Sequence, residues 1–80
     1  MSETLVLEEL SVLFKDVLDN GDISLLSSTT AEDIDEWDSI THMMLVVEIE
    51  KKYAIKFTAS ETRGWNNVGE LVKSILQKKS

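Results

Sequence analysis

The chain lacks cysteine and proline entirely and has only three glycines among its 80 residues. Without cysteine it cannot form disulfide bonds, thiolate metal sites or a cysteine nucleophile. No apolar run approaches the roughly 20 residues that span a bilayer, and no basic stretch precedes the first apolar residues, as it would in a secretory signal. We therefore expect a soluble, unprocessed, cytoplasmic protein.

The composition predicts one small folded domain over residues 1–80. Hydrophobic residues make up 42% of the chain and charged residues 29%, which is a globular balance rather than a disordered one. A chain of this length buries only a modest core, so a deep active site is not expected. The composition thus favours a non-enzymatic role.

Basic residues are scarce in the first part of the chain. Residues 1–50 carry 13 acidic side chains and one basic side chain, a net charge of −12, whereas residues 51–80 carry seven basic and two acidic side chains, a net charge of +5. An acidic surface repels nucleic-acid phosphates and anionic lipid, and it attracts proteins with basic patches. We expect no nucleic-acid partner and no stable membrane insertion. The alternative is that the acidic surface serves solubility alone.

Apolar periodicity predicts three main helices. The first runs from about Glu3 to Leu18, and Asp19-Asn20-Gly21 ends it, since Asn and Gly tolerate the left-handed conformation. The second runs from Ser39 to about Tyr53 and is apolar at nearly every position outside a narrow polar arc. We therefore expect it to pack on several sides, with Met44, inside that arc, exposed.

The remaining segments complete an all-α fold. Asn67 caps the last helix, with Glu70 three residues later. Residues 58–61 have the spacing of a capping box, which predicts a short helix that ends at Gly64. The connection over residues 19–38 is long, and we expect it to be ordered with a short turn around residues 30–33. The prediction is a four-helix bundle with one short helix and a core from the first, second and fourth helices.

Asp38-Ser39-Ile40 opens the second helix and is the candidate site. A helix N-terminus presents unpaired N–H groups and a positive partial charge, so it stabilises an anionic phosphate ester on a serine. Ser and Asp are also favoured N-cap residues. Local pattern therefore leaves two roles open for Ser39, a helix cap or a phosphate-ester attachment point.

Residues 37–53, with the order of helices around them, resemble the acyl carrier protein family. The resemblance extends over essentially the whole chain: a long acidic loop, Asp38-Ser39-Ile40 where the family has Asp-Ser-Leu, the Ile-Glu-Lys-Lys-Tyr end of the second helix, and the spacing from Phe57 to Val68. It implies that Ser39 receives 4'-phosphopantetheine from coenzyme A, through a phosphopantetheinyl transferase. The thiol of that arm would carry acyl groups as thioesters.

The resemblance also implies partners. These are acyl-transferring, acyl-activating and synthase enzymes of fatty acid, polyketide or other specialised biosynthesis, with basic or apolar docking patches, and we expect the carrier to act as a monomer. Family members in fatty acid synthesis usually display acidic residues where this chain has Thr41, Met44 and Lys51, which favours a specialised pathway. The candidate docking residues are Asp35, Glu36, Asp38, Ile40 and Met44.

An acyl chain could also enter the bundle between the second and third helices. The candidate lining residues are Met43, Val46, Val47 and Ile49, although the same residues would equally fill a closed core.

The sequence also leaves alternatives to an acyl carrier role. An aminoacyl or peptidyl carrier is the nearest alternative, and an unmodified helical interaction module, in which Ser39 only caps, is the second. His42 lies three residues after Ser39, but no Gly-x-Ser-x-Gly elbow supports a hydrolase. No calcium loop or other metal site is indicated. Trp37 and Trp65 either pack in the core or stack on a ligand.

Overall fold

The structure, a computed structural model, describes residues 2–79, and it is all-helical over that range. Four α-helices follow one another as α1 (Glu3–Leu18), α2 (Ser39–Tyr53), α3 (Ala59–Arg63) and α4 (Val68–Lys79). A 3₁₀ turn, Ala31–Asp33, interrupts the connection between α1 and α2. The predicted fold class, helix order and short turn are confirmed. Within this range no helix combines the length and the hydrophobicity needed to cross a membrane.

Local capping sets most of the helix ends. The Thr58 hydroxyl accepts the Glu61 N–H at 3.1 Å, and the Glu61 carboxylate accepts the Thr58 N–H at 2.8 Å, so the predicted capping box of α3 is confirmed. The Thr58 N–H and the Lys78 ammonium, 3.0 Å away, lower the pKa of Glu61. At α4 the Asn67 side chain accepts the Glu70 N–H at 2.9 Å. These bonds satisfy donors that a helix start leaves unpaired.

The end of α1 differs in detail from the prediction. Asp19, with φ of 52°, takes the left-handed conformation that we expected of Asn20 or Gly21. The left-handed residue directly follows Leu18, where it lets the next N–H groups turn back to the last carbonyls. Asn20 instead forms a turn, in which its side-chain oxygen accepts the Asp22 N–H at 3.0 Å.

The core lies between α1, α2 and α4, as predicted. Its most enclosed members are all apolar and have at most 2% of their surface exposed. They are Val6, Leu10, Phe14, Leu45, Ile49, Val68, Leu71 and Ile75. Ile23 and Leu25 of the long connection are buried with them, while Trp37 packs partly buried against the same cluster. The connection is therefore part of the packed fold.

Main-chain hydrogen bonds hold the connection against the start of α4. The Val68 N–H donates to the Thr29 carbonyl and the Gly69 N–H to the Ser27 carbonyl, both at 2.8 Å. A Cβ at Gly69 would lie 2.9 Å from the Ser27 oxygen, so only glycine allows this close approach.

The expectation that α2 is packed on several sides is wrong. Ile40, Met43, Met44 and Val47 are 73%, 54%, 49% and 44% exposed, so Met44 is one of four large apolar side chains on its surface. The reason is geometric: α2 has 15 residues and α3 has five, about 22 Å against about 8 Å. The short helix cannot cover the side of the long one.

Candidate functional site

Ser39 is the first residue of α2, and its side chain is free. Asp38 caps the helix: one of its carboxylate oxygens accepts the N–H groups of Ile40 and Thr41, each at 2.9 Å. The Thr41 hydroxyl accepts the Asp38 N–H at 2.8 Å and donates to the Glu36 carbonyl at 2.7 Å. Ser39 is exposed, and its hydroxyl forms no hydrogen bond with any residue between 2 and 79. The cap belongs to Asp38, so the Ser39 hydroxyl can be modified without uncapping α2.

The cap also affects the charge beside Ser39. The Thr41 N–H, assisted by the Ile40 N–H, lowers the pKa of the Asp38 carboxyl. Because a carboxylate accepts these bonds more strongly than a carboxylic acid, Asp38 stays ionised at neutral pH. A fixed negative charge therefore lies next to Ser39.

An open groove of about 550 Å³ begins at Ser39 and runs between the start of α2 and the end of α3. Most of the surface that lines the groove is apolar, much of it from aromatic rings, and one cationic side chain lies at the rim. The lining residues are Ala31, Trp37, Asp38, Ser39, His42, Met43, Thr62, Arg63, Trp65, Asn66 and Asn67. Arg63 is exposed and pairs with no carboxylate in the described part of the chain.

His42 joins three elements beneath this groove. The Trp37 indole N–H donates to His42 Nδ1 at 3.0 Å, and His42 Nε2 donates to the Thr62 carbonyl at 2.9 Å. We call this chain of contacts the Trp37–His42–Thr62 bridge. Because Nδ1 accepts a hydrogen bond and Nε2 donates one, the ring hydrogen lies on Nε2. With both ring nitrogens engaged, His42 is not placed as a base for Ser39.

Aromatic packing reinforces the bridge. The Trp37 and His42 rings are nearly parallel, with an interplanar angle of 21° and centroids 6.0 Å apart, and Trp65 meets His42 edge-on at 5.8 Å. The Trp65 indole N–H donates to the Ser74 hydroxyl of α4 at 2.8 Å. Both tryptophans therefore have partly buried polar partners, as expected for rings that pack beside a groove.

The candidate docking residues surround Ser39. Asp35 and Glu36 are exposed on the segment that leads into α2, and Ile40 and Met44 follow Ser39 on the exposed side of the helix. Glu36 accepts a hydrogen bond from the Asn20 side chain at 3.2 Å, which links it to the end of α1. Val47, three residues beyond Met44, is also exposed, and we call Ile40, Met44 and Val47 the apolar strip of α2.

The four candidate residues for an acyl pocket do not line one cavity. Met43 lines the groove, whereas Val46 and Ile49 are buried, 5% and 1% exposed. Val47 lies with Met44 over a separate shallow depression against α1. Sequence reasoning did not place Trp37, His42, Arg63 and Trp65 together, although Trp37 and His42, which lie close to Ser39 in the sequence, were a usable signal.

No protein-family model matches the chain, and no curated protein matches it. Among solved structures, the holo acyl carrier protein from Geobacter metallireducens matches with a TM-score of 0.85 and 42% identity, over 90% of this chain and 83% of that one. The chain belongs to the acyl carrier protein family. Membership of the acyl carrier proteins accounts for the helix order and for a carrier role.

Proposed function

We propose that this protein carries acyl groups as thioesters on a 4'-phosphopantetheine arm attached to Ser39 Oγ. The observation that carries the proposal is the exposed Ser39 hydroxyl, which takes no part in capping because Asp38 does so. The similar acyl carrier protein of known structure is described as a holo form, which supports the same modification here.

The residues around Ser39 fit such an arm. Its phosphodiester would lie at the start of α2, where the helix dipole stabilises negative charge. Arg63, at the rim of the groove and without an ion-pair partner in the described chain, is available to a phosphate oxygen. When bound, the arm supplies the thiol that forms the thioester.

Attachment of the arm forms one bond to phosphorus and breaks another. Ser39 Oγ forms a bond to the phosphorus that bears the pantetheine, the phosphoanhydride bond of coenzyme A breaks, and adenosine 3',5'-bisphosphate leaves. The hydroxyl proton passes to a base of the phosphopantetheinyl transferase. This chain contributes an unhindered nucleophile and a docking surface, and the transferase contributes the catalytic groups.

Partner enzymes are expected to recognise both the charge and the apolar strip. Asp35, Glu36 and Asp38 precede the serine, and Ile40, Met44 and Val47 follow it on one face of α2. A partner surface with an apolar pocket and a basic rim complements this arrangement. Tethering then makes delivery of the cargo intramolecular, so each docking event can be weak.

The proposal is tested by intact mass after incubation with coenzyme A and a phosphopantetheinyl transferase. Wild type is expected to gain one phosphopantetheinyl group and Ser39→Ala none. Ser60→Ala, which removes another exposed serine, is the matched control and is expected to gain the group like wild type. An unmodified wild type would favour the helical interaction module instead.

A further inference from the structure

The groove beside Ser39 is separated from the interior by the Trp37–His42–Thr62 bridge. The bridge ties the connecting loop, α2 and α3 together through bonds of 3.0 and 2.9 Å. Thr62 is itself 7% exposed, and its hydroxyl donates to the Ala59 carbonyl at 2.9 Å. The space between the floor of the groove and the interior is thus closed by side chains whose polar atoms are already paired.

Opening that space would disturb more than the bridge. The Trp37 ring also meets Phe14 edge-on, with centroids 5.0 Å apart, and Phe14 is fully buried. An acyl chain that pushed Trp37 or His42 aside would leave indole and imidazole N–H groups without acceptors, which is costly in an apolar setting. It would also loosen a contact of the central core.

Within the described residues, the groove does not reach the most enclosed part of the core. None of the eight most enclosed core residues lines the groove, and those side chains have at most 2% of their surface exposed. The groove itself offers apolar contact through Trp37, Met43 and Trp65, and it is continuous with Ser39.

We propose that this carrier holds its cargo in the open groove, outside the helix bundle, and that it serves short acyl groups rather than long alkyl chains. The inference rests on the proposed arm at Ser39. The inner part of the arm shares the groove with the cargo, so an acyl group of a few carbons is covered there and a long chain remains in solvent. The Trp37–His42–Thr62 bridge is the barrier that keeps a long chain from the core.

The test compares two cargoes on the intact protein. Butyryl and dodecanoyl arms are transferred from the corresponding acyl-coenzyme A, and intact mass confirms loading. Failure to load would count against the proposed function, whereas the position of a loaded cargo tests only this inference. The readouts are the melting temperature and the NMR signals of the Trp37 and Trp65 indole N–H groups and of the Leu45 and Ile49 methyl groups.

Both cargoes are expected to shift the indole signals, to leave the methyl signals in place, and to give equal melting temperatures. A dodecanoyl form that shifts the Leu45 and Ile49 methyl signals, or melts more than about 4 °C above the butyryl form, would overturn the inference. Unchanged indole signals in both forms would show that the groove does not hold the cargo, and would overturn it as well.

Variants of the bridge test the barrier. Trp37→Phe keeps an aromatic side chain but removes the indole N–H and part of the ring, and His42→Ala removes both bonds, so either is expected to let the dodecanoyl form melt above the butyryl form. Tyr53→Phe is the matched control, because it removes a different α2 hydrogen bond, to Glu9 at 2.8 Å, outside the groove. If both bridge variants behave like wild type and Tyr53→Phe, the bridge is not the barrier.

Discussion

The two halves of α2 differ in what they contact. Residues 45–53 place Leu45, Ile49 and Tyr53 in the core, and the Tyr53 hydroxyl donates to Glu9 of α1 at 2.8 Å. Burial, together with that carboxylate, raises the pKa of Tyr53 well above its usual value. Residues 39–44, in contrast, leave Ser39, Ile40, Met43 and Met44 exposed.

This difference shows how one helix can serve two purposes. The second half anchors the helix to the bundle and so fixes the position of the first half. The first half presents a free hydroxyl and apolar side chains whose removal would cost the fold little. Stability is therefore expected to respond most to mutations in the second half and recognition most to mutations in the first half, with exposed Val47 the member of the apolar strip that lies beyond it.

The largest expected effect is on stability in the second half. Ile49→Ala is expected to lower the free energy of unfolding by about 2–5 kcal/mol, because it leaves a cavity in a packed core. Ile40→Ala, the matched change in the first half, is expected to stay within about 0.5 kcal/mol of wild type, since Ile40 is 73% exposed. Urea denaturation measures both. Equal losses in the free energy of unfolding would show that the two halves of α2 do not differ in their contribution to stability.

Recognition is expected to depend on the first half. Met44→Glu places a charge in the apolar strip and is expected to lower kcat/KM of a phosphopantetheinyl transferase by up to about tenfold, or about 1.4 kcal/mol, with little change in stability. Val12→Glu, at a residue of α1 that is 60% exposed, is the control. A loss as large with Val12→Glu would show that net charge, not the α2 strip, governs docking.

The end of α2 offers a gain of stability. Ala54 follows Tyr53 in the left-handed conformation, with φ of 56°, where an alanine Cβ costs about 1 kcal/mol. Ala54→Gly is therefore expected to raise the melting temperature by a few degrees, since glycine is unstrained there. Ala59→Gly, at the first residue of α3, is expected to lower it instead. A lower melting temperature for Ala54→Gly would contradict the left-handed cap.

The smallest expected effect concerns the Asp38 cap and pH. The folded pKa of Asp38 is lowered, so its contribution to stability is present above the unfolded value of about 3.9 and is lost as pH falls through the folded value. Asp38→Asn keeps a neutral cap, so wild type is expected to lose stability relative to this variant only below about pH 4. If the difference in stability between the two proteins does not change over that range, the ionised carboxylate of Asp38 does not stabilise the fold.

The local features of the fold were predictable from the sequence, and the long-range ones were not. The bounds of α1 and α2 and the Thr58–Glu61 capping box depend on residues within a few positions of one another. The exposure of Met43 and Val47 depends on how far α3 covers α2, which periodicity does not show. The bond between His42 and Thr62 joins residues 20 positions apart.

In the candidate site too, the local features were predictable from the sequence and the long-range ones were not. Ser39 at the start of a helix was evident from its neighbours, but Asp38 and Ser39 were equivalent as caps until the bonds from Ile40 and Thr41 assigned the cap to Asp38. The groove required Trp37 and Trp65, which lie on different segments and each contact His42.

The proposed carrier role depends on an arm at Ser39. Its most direct test is fragmentation mass spectrometry of the protein after reaction with coenzyme A and a phosphopantetheinyl transferase, which locates the added phosphodiester along the chain. We expect one phosphopantetheinyl group, on Ser39 alone. A group on any other serine, or none under conditions that modify another acyl carrier protein, would contradict it.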